Sequence, residues 1–196
     1  MFIQCDTIAS AKRELVQAIK EEGYKQHIDK GSFEKEKTYR TQIPTVFVDI
    51  MEPQEKFDKP VEISDMGIKR YVAAMVDPDC PENAEYTYGE RIAIQIEDAI
   101  AMMSYAKNTN QAIIEVGSPE DIKLKNPPCL RLIHFMFFED KLNMTVFFRS
   151  NDIENAFLMN MYGLAEIQNM VAMISGIECG KISYICSGAH VYTFGG

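Results

Sequence analysis

Two apolar runs, Arg131 to Phe138 (RLIHFMFF) and Leu142 to Phe148 (LNMTVFF), are separated only by Glu139-Asp140-Lys141. Aromatic and branched residues at this density suit strands, and a polar connection this short pairs consecutive strands antiparallel. The spacing predicts a β-hairpin. On its second strand Leu142, Met144, Val146 and Phe148 share one face, and Asn143, Thr145, Phe147 and Arg149 share the other. The first strand is apolar on both faces, which predicts burial under helices. Polar chemistry stands at the open end. Cys129 enters behind Pro127-Pro128, and the return strand delivers Arg149-Ser150-Asn151-Asp152.

The two prolines fix φ and disfavour helix before them, so Cys129 enters the strand from a stiff, extended lead. An arginine close by favours the thiolate, the reactive form of cysteine. On spacing alone two readings of Cys129 stand side by side, an activated nucleophile and a small buried apolar residue.

With 196 residues, 46% of them hydrophobic, the chain suits one domain over residues 1–196. A net charge of −9 argues against a nucleic-acid-binding surface, which needs a clustered basic face. It leaves room for one anionic ligand, such as a nucleotide, in a local basic pocket. No apolar run reaches the ~18 residues of a membrane helix, and MFIQCDTIAS has no apolar signal-peptide core. Five cysteines without a C-x-x-C pair, and three histidines without an H-x-x-x-H pair, point to a reducing, cytoplasmic setting and to no metal site. The twelve scattered methionines read as core filler.

Periodicity and caps predict the other elements. A helix over Thr7 to Glu22 is capped by Thr7 and ended by Gly23, and Tyr24 to Thr41 reads as a charged, irregular surface connection. A strand covers Ile43 to Met51, and a helix runs from Ser64 to Val76. Cys80 to Gly89 reads as a loop before a long helix over Glu90 to Lys107. Ala112 to Val116 is a short buried strand, followed by a loop to Cys129. Ile153 to Ser175 is a helix capped by Asn151 or Asp152 and ended by Gly176, and Lys181 to Ile185 is a last strand before His190 and Tyr192.

Taken in order, Pro128-Cys129, the hairpin, Arg149-Ser150-Asn151-Asp152, Asn160 eleven residues after that arginine, and His190-Val191-Tyr192 resemble thymidylate synthase. Tyr88-Gly89 before the long helix is similar to the family's Tyr-Gly. The run Tyr86-Thr87-Tyr88-Gly89-Glu90-Arg91 and the run from Asn160 to Leu164 most resemble the methanogen (archaeal) branch. The resemblance runs from about Glu85 to Tyr192. It implies an α/β fold with one large twisted mixed β-sheet flanked by helices, dimerising through the sheet as a homodimer. It implies a methyltransferase converting dUMP to dTMP, with 5,10-methylene-tetrahydrofolate or 5,10-methylene-tetrahydromethanopterin as co-substrate and no metal. Cys129 would add to C6 of the pyrimidine. Arg149 would hold the phosphate and lower the Cys129 pKa, with Ser150 and Asn151 beside it. Asn160 would read the O4 and N3–H edge of uracil, His190 and Tyr192 would bind the sugar hydroxyl, Asp152 would bind the pterin, and Tyr88 would position the proton lost from C5. The bland readings are an edge charge for Arg149, helix caps for Asn151 and Asp152, a solvated face for Asn160, and packing for Tyr88, His190 and Tyr192.

Four departures from the family pattern stand out. Where the family brings an arginine pair from the partner subunit, this chain has Asn110-Gln111-Ala112, and Arg40, Lys107 and Arg131 are candidate replacements. Leu130-Arg131 follows the cysteine where the family has His or Gln. The family's C-terminal closing segment is not found after Gly196, which raises a dUMP or dCMP 5-hydroxymethylase as a second reading. The family's glutamate has only Glu52 and Glu62 as candidates. A non-catalytic nucleotide-binding relative is a third reading.

Overall fold

In the computed structural model, which describes residues 1–30 and 38–194, the chain runs β1 (Phe2–Cys5), α1 (Ile8–Glu22), β2 (Tyr24–His27), β3 (Thr38–Ile50), α2 (Asp65–Val76), α3 (Tyr88–Tyr105), β4 (Ile113–Glu115), β5 (Leu130–Phe138), β6 (Lys141–Phe148), β7 (Asn151–Asp152), α4 (Phe157–Ser175) and β8 (Glu178–Phe194). The strands form one mixed sheet in the order β1-β3-β8-β6-β5-β4, with β2 beside β3 and β7 beside β8. β1 runs parallel to β3, and β6 and β7 run parallel to β8; the other pairs are antiparallel.

The hairpin is β5–β6. Its turn is two residues, Glu139 and Asp140, both with positive φ (53° and 60°). That backbone twist matches the twist of the flanking strands, so Lys141 already belongs to β6. The fully buried residues of the central strands, such as Val46, Val146, Phe148, Tyr184 and Cys186, share one face, and α1, α3 and α4 pack against it. In α4, Phe157, Met161, Leu164, Ile167 and Val171 are all fully buried. Each such side chain stabilises the fold by roughly 1.5–3 kcal/mol. α2 lies outside, against α3 and α4.

Among the described residues, α1, α3 and α4 cover only this face. The expectation that β5 is buried on both sides is therefore half right. Among the described residues no helix packs on the other face. There the register aligns Phe2, Phe47, Ile185, Phe147 and Leu132 in one apolar row across five strands. Phe2 is 64% and Phe47 46% exposed.

Four expectations need correction. The stretch from Tyr24 to Thr41 is not an irregular connection: β2 pairs antiparallel with β3, from Tyr24↔Gln42 to His27↔Tyr39. Of its charged residues, Lys25 lies on this edge strand, where charge is common, and Arg40 lies on β3; residues 31–37 lie outside the described residues. The long helix starts at Tyr88, not Glu90. Thr87 Oγ1 accepts from the Glu90 N–H at 3.0 Å, and the Glu90 carboxylate accepts from the Thr87 N–H at 3.4 Å. This capping box draws Tyr88 and Gly89 into the first turn. Gly89 is needed there, because a Cβ would stand 2.0 Å from the Asp77 carbonyl oxygen at the end of α2. α4 begins at Phe157 without a side-chain cap. Asn151 and Asp152 instead form β7, paired with Ala189 and His190. Finally, β8 continues well past Ile185, since β3 and β7 flank it along the stretch with His190 and Tyr192.

Candidate active site

The faces of the sheet carry the site chemistry to one place. Even-numbered side chains of β8 point toward the helices, as buried Ile182, Tyr184 and Cys186 do. The same phase brings His190 and Tyr192 to that side, opposite Gln42 and Arg40 of β3. A cleft of about 580 Å³ opens there, a size suited to a small-molecule ligand. Tyr88, Cys129, Arg149, Ser150, Asn151, Asp152, Asn160, His190 and Tyr192 all line it. Among the described residues four cations, Lys30, Arg40, Lys125 and Arg149, line it too, against the single carboxylate of Asp152. A chain of net charge −9 thus presents a cationic cleft.

Cys129 is half-buried at the start of the hairpin. Arg149 reaches back from the end of β6: its Nε donates to the Pro128 carbonyl at 3.0 Å and its Nη2 to that of Pro127 at 2.6 Å. Burial pushes the Cys129 thiol up, and the Arg149 charge pulls it down by less. The expected lowering by Arg149 is thus present, but burial outweighs it. Tyr88 Oη accepts from the Leu130 N–H at 3.3 Å. Its own pKa is raised, chiefly by burial, so it keeps its proton.

A chain of hydrogen bonds holds the amides. Tyr71 Oη donates to Asn160 Oδ1 at 2.5 Å, Asn160 Nδ2 donates to Asn151 Oδ1 at 3.2 Å, and Asn151 Nδ2 donates to Tyr184 Oη at 3.2 Å. Asn160 therefore keeps one N–H and one lone pair in reserve. Tyr71 went unread in the sequence. Its one signal was Gly163, a glycine inside α4: a Cβ there would lie 2.5 Å from Tyr71 Cδ1.

His190 Nδ1 lies 3.0 Å from the Gly188 carbonyl oxygen and 3.3 Å from Ser150 Oγ. A carbonyl only accepts, so Nδ1 carries the proton and Nε2 is an acceptor. Nε2 is buried and has no hydrogen-bond partner among the described residues. Burial lowers the His190 pKa and keeps the ring neutral. The Tyr192 ring meets it edge-on, with centroids 4.7 Å apart. Asp152 accepts from the Glu154 and Asn155 N–H groups, each at 3.1 Å, and from Asn155 Nδ2 at 2.9 Å. These three bonds leave part of its acceptor capacity open to the cleft.

Of the candidate replacement cations, Arg40 lines the cleft. Lys107 Nζ donates instead to the Gly176 carbonyl, at 3.2 Å. Arg131 is bound to Asp121 at 2.6 Å and to the Ser118 carbonyl at 3.4 Å. Asp121 is only 2% exposed and also takes both Nη atoms of Arg91, at 2.9 and 2.7 Å. The Arg91 hydrogen bonds come first among the causes that hold its pKa down at about 2. Glu52 and Glu62 are exposed and do not line the cleft, so neither candidate glutamate is brought to Cys129.

Residues 79–194 match the family profile described as thymidylate synthase. A protein of Methanosarcina mazei named "Putative thymidylate synthase" is 30% identical over 132 residues, which are 64% of this chain and 61% of that protein. Proteins of the same name from Methanothermobacter thermautotrophicus and Methanocaldococcus jannaschii are each 26% identical, over 97% and 98% of this chain and 92% and 90% of their own lengths. The chain thus spans about three fifths of the Methanosarcina relative and nine tenths of the other two. The profile begins just before the segment that carries Tyr86 and Tyr88 and ends with β8, so it takes in Tyr88, Cys129, Arg149, Ser150, Asn151, Asp152, Asn160, His190 and Tyr192 and leaves Arg40 outside, and on this match the chain belongs to the thymidylate synthase family.

Proposed function

We propose that the cleft transfers a one-carbon unit to C5 of a pyrimidine nucleotide, methylating dUMP to dTMP with a 5,10-methylene-tetrahydropterin, folate or methanopterin, as co-substrate. One observation carries this reading. The Cys129 thiol shares its cleft with Asn160, whose remaining N–H and lone pair complement O4 and N3–H of uracil. Cys129, as thiolate, adds to C6; the C–S bond forms and the C5–C6 π electrons pass to O4, where the Asn160 N–H receives the charge. C5 then bonds to the one-carbon unit. Its proton leaves to a water oriented by Tyr88 as the bond from the one-carbon unit to the pterin nitrogen breaks, and hydride addition to the resulting exocyclic methylene expels Cys129, the C–S bond breaking to return the thiolate. The reduced pterin supplies the carbon unit and the hydride that makes it methyl. Ser150 and Asn151 support the nucleotide beside Arg149. The neutral His190 Nε2 accepts from a sugar hydroxyl with Tyr192 alongside, and Asp152 offers its open lone pair to a pterin N–H.

We also read the chain as a homodimer, joined through the helix-free face with its row from Phe2 to Leu132. Such an apolar row is what a second sheet would cover. Sedimentation of the wild type against Phe47→Asp tests it: a dimer reduced to monomer supports the face, and a monomeric wild type overturns it.

The reaction is tested by release of the C5 hydrogen from labelled dUMP, dCMP and UMP, with each pterin, against Cys129→Ala. Release from dUMP that needs Cys129 supports the reading, and product mass separates methyl from hydroxymethyl. If no nucleotide releases its hydrogen with either pterin, the transferase reading is wrong and a nucleotide-binding relative is the better account.

A further inference from the structure

We infer that Tyr86 is a positioning residue for the proton removed from C5: its hydroxyl and that of Tyr88 together hold the water that takes this proton. The inference rests on the transferase reading above. The sequence pattern assigns no role to this tyrosine; the fold brings it to the cleft wall.

The first ground is placement. Thr87 is the extended cap of α3 (φ −125°, ψ 158°), held by its capping box with Glu90. Side chains on either side of an extended residue point the same way, so Tyr86 and Tyr88 both line the cleft. Their rings meet edge-on, with centroids 6.0 Å apart. The Arg91 guanidinium lies over the Tyr86 ring, 5.0 Å from its centroid, and is itself fixed by both carboxylate oxygens of Asp121. The Glu85 carboxylate accepts from the Lys125 and Asn126 N–H groups, at 3.3 and 3.4 Å, and so ties this segment to the lead of Cys129. Cys129 bears electrostatically on both tyrosine hydroxyls.

The second ground is what the two hydroxyls have left to give. Tyr88 Oη already accepts from the Leu130 N–H, so only its proton and part of its acceptor capacity remain. Tyr86 Oη has no hydrogen-bond partner among the described residues, and its proton and both lone pairs are open to the cleft. Ordered waters make about three hydrogen bonds, so one hydroxyl places a water poorly and two place it well. Tyr86 Oη accepts an O–H of that water, which leaves a water lone pair for the C5 proton. Burial raises the pKa of both phenols, so each stays neutral and neither is itself the base. Asp152, the single cleft carboxylate among the described residues, already accepts three hydrogen bonds. The C5–H bond breaks and its electron pair forms the exocyclic double bond. The pair of the C–N bond leaves with the pterin nitrogen, and the proton passes to the water and on to solvent.

The test measures turnover of dUMP carrying protium or deuterium at C5, and dUMP binding by calorimetry, on wild type and Tyr86→Phe. Phenylalanine keeps the ring beside Tyr88 and under Arg91, so the fold and the binding of dUMP should be unchanged. The expected kcat is about tenfold lower, the scale of one hydrogen bond, with KM for dUMP within about twofold of wild type. The deuterium effect on kcat should grow, because proton removal becomes slower than the other steps. The double variant Tyr86→Phe/Tyr88→Phe should lose less than the product of the two single losses, since both hydroxyls serve one water. Losses that multiply would give the hydroxyls separate tasks and overturn the shared water. If kcat is unchanged, or falls with no rise in the isotope effect, the assignment to Tyr86 is wrong while the transferase reading stands. Weaker dUMP binding that accounts for the whole loss would make Tyr86 a packing residue and also overturn the assignment. If wild type releases no C5 hydrogen, the transferase reading fails and takes this inference with it.

Discussion

Arg149 and Cys129 face each other across the open end of the hairpin. The Arg149 backbone N–H donates to the Cys129 carbonyl at 2.9 Å, while its side chain holds the two preceding proline carbonyls. One residue thus fixes the backbone of the thiol and biases its charge. The Cys129 pKa still lies above the ordinary 9.0, because burial exceeds that bias. Arg149→Gln should raise it further and slow iodoacetamide alkylation of Cys129 several-fold at pH 8, and Arg149→Lys, which keeps the charge, should lie between. Peptide mass analysis separates Cys129 from the exposed Cys80. An unchanged rate–pH curve in Arg149→Gln would mean that the arginine serves the backbone alone.

Tyr71 sets the amide of Asn160. Removing its hydroxyl leaves Asn160 Oδ1 without that donor, at a cost of about 1–3 kcal/mol. Tyr71→Phe should lower stability by that order and reduce the preference for dUMP over dCMP, since the Asn160 amide is then freer to turn. Gly163→Ala should do both more severely, because its Cβ would meet the Tyr71 ring. Chemical denaturation and paired binding measurements check this. An Asn160→Asp protein that keeps full preference for dUMP would show that Asn160 does not read the base.

Much of this was legible in the sequence, for physical reasons that differ by residue. Period and caps announced α1 and α2: Thr7 accepts from the Ser10 N–H and Ser64 from the Gly67 N–H, each at 3.0 Å. Gly176, at φ 64°, ends α4 in the left-handed conformation. The cleft residues were legible because their order along the chain is a family pattern. The strand through Ser187-Gly188-Ala189 was not, since small polar residues have little strand preference and only pairing with β3 and β7 holds them extended. Asp152 read as a helix cap because it does accept backbone N–H groups; the turn it caps comes before α4. Tyr71 was hidden because nothing local marks it, and its contact with Asn160 exists only once α2 and α4 meet.

His190 should titrate as a buried neutral imidazole. Burial is the largest cause of its lowered pKa, with Arg40 and Arg149 acting in the same direction. Nitrogen NMR should find the Nδ1–H form persisting below the ordinary histidine range, and Arg149→Gln should move the titration upward. The neutral ring favours the fold above the unfolded-state value of about 6.5, and that contribution is lost as pH falls through the folded value. A spectrum with the proton on Nε2 would remove the acceptor assigned to the sugar hydroxyl.

Asp121 ties α3 to β5 through Arg91 and Arg131, and it governs stability in acid. Its folded pKa of about 2 lies below the ordinary 3.8, first because of the Arg91 hydrogen bonds. The stabilisation is present above the unfolded value and disappears as pH falls from about 4 toward 2, a contribution of roughly 2 kcal/mol. Asp121→Asn should flatten the loss of stability over that interval. At pH 7 it should cost more than this, on the order of 3–5 kcal/mol, because two partly buried guanidiniums lose their counter-charge together. Urea unfolding at stepped pH reads both effects. If wild type and Asp121→Asn lost stability in parallel between pH 4 and 2, the carboxylate would not be ionised by its arginines in the fold. If Arg131→Gln alone reproduced the full loss at pH 7, the tie would run to β5 and not to α3.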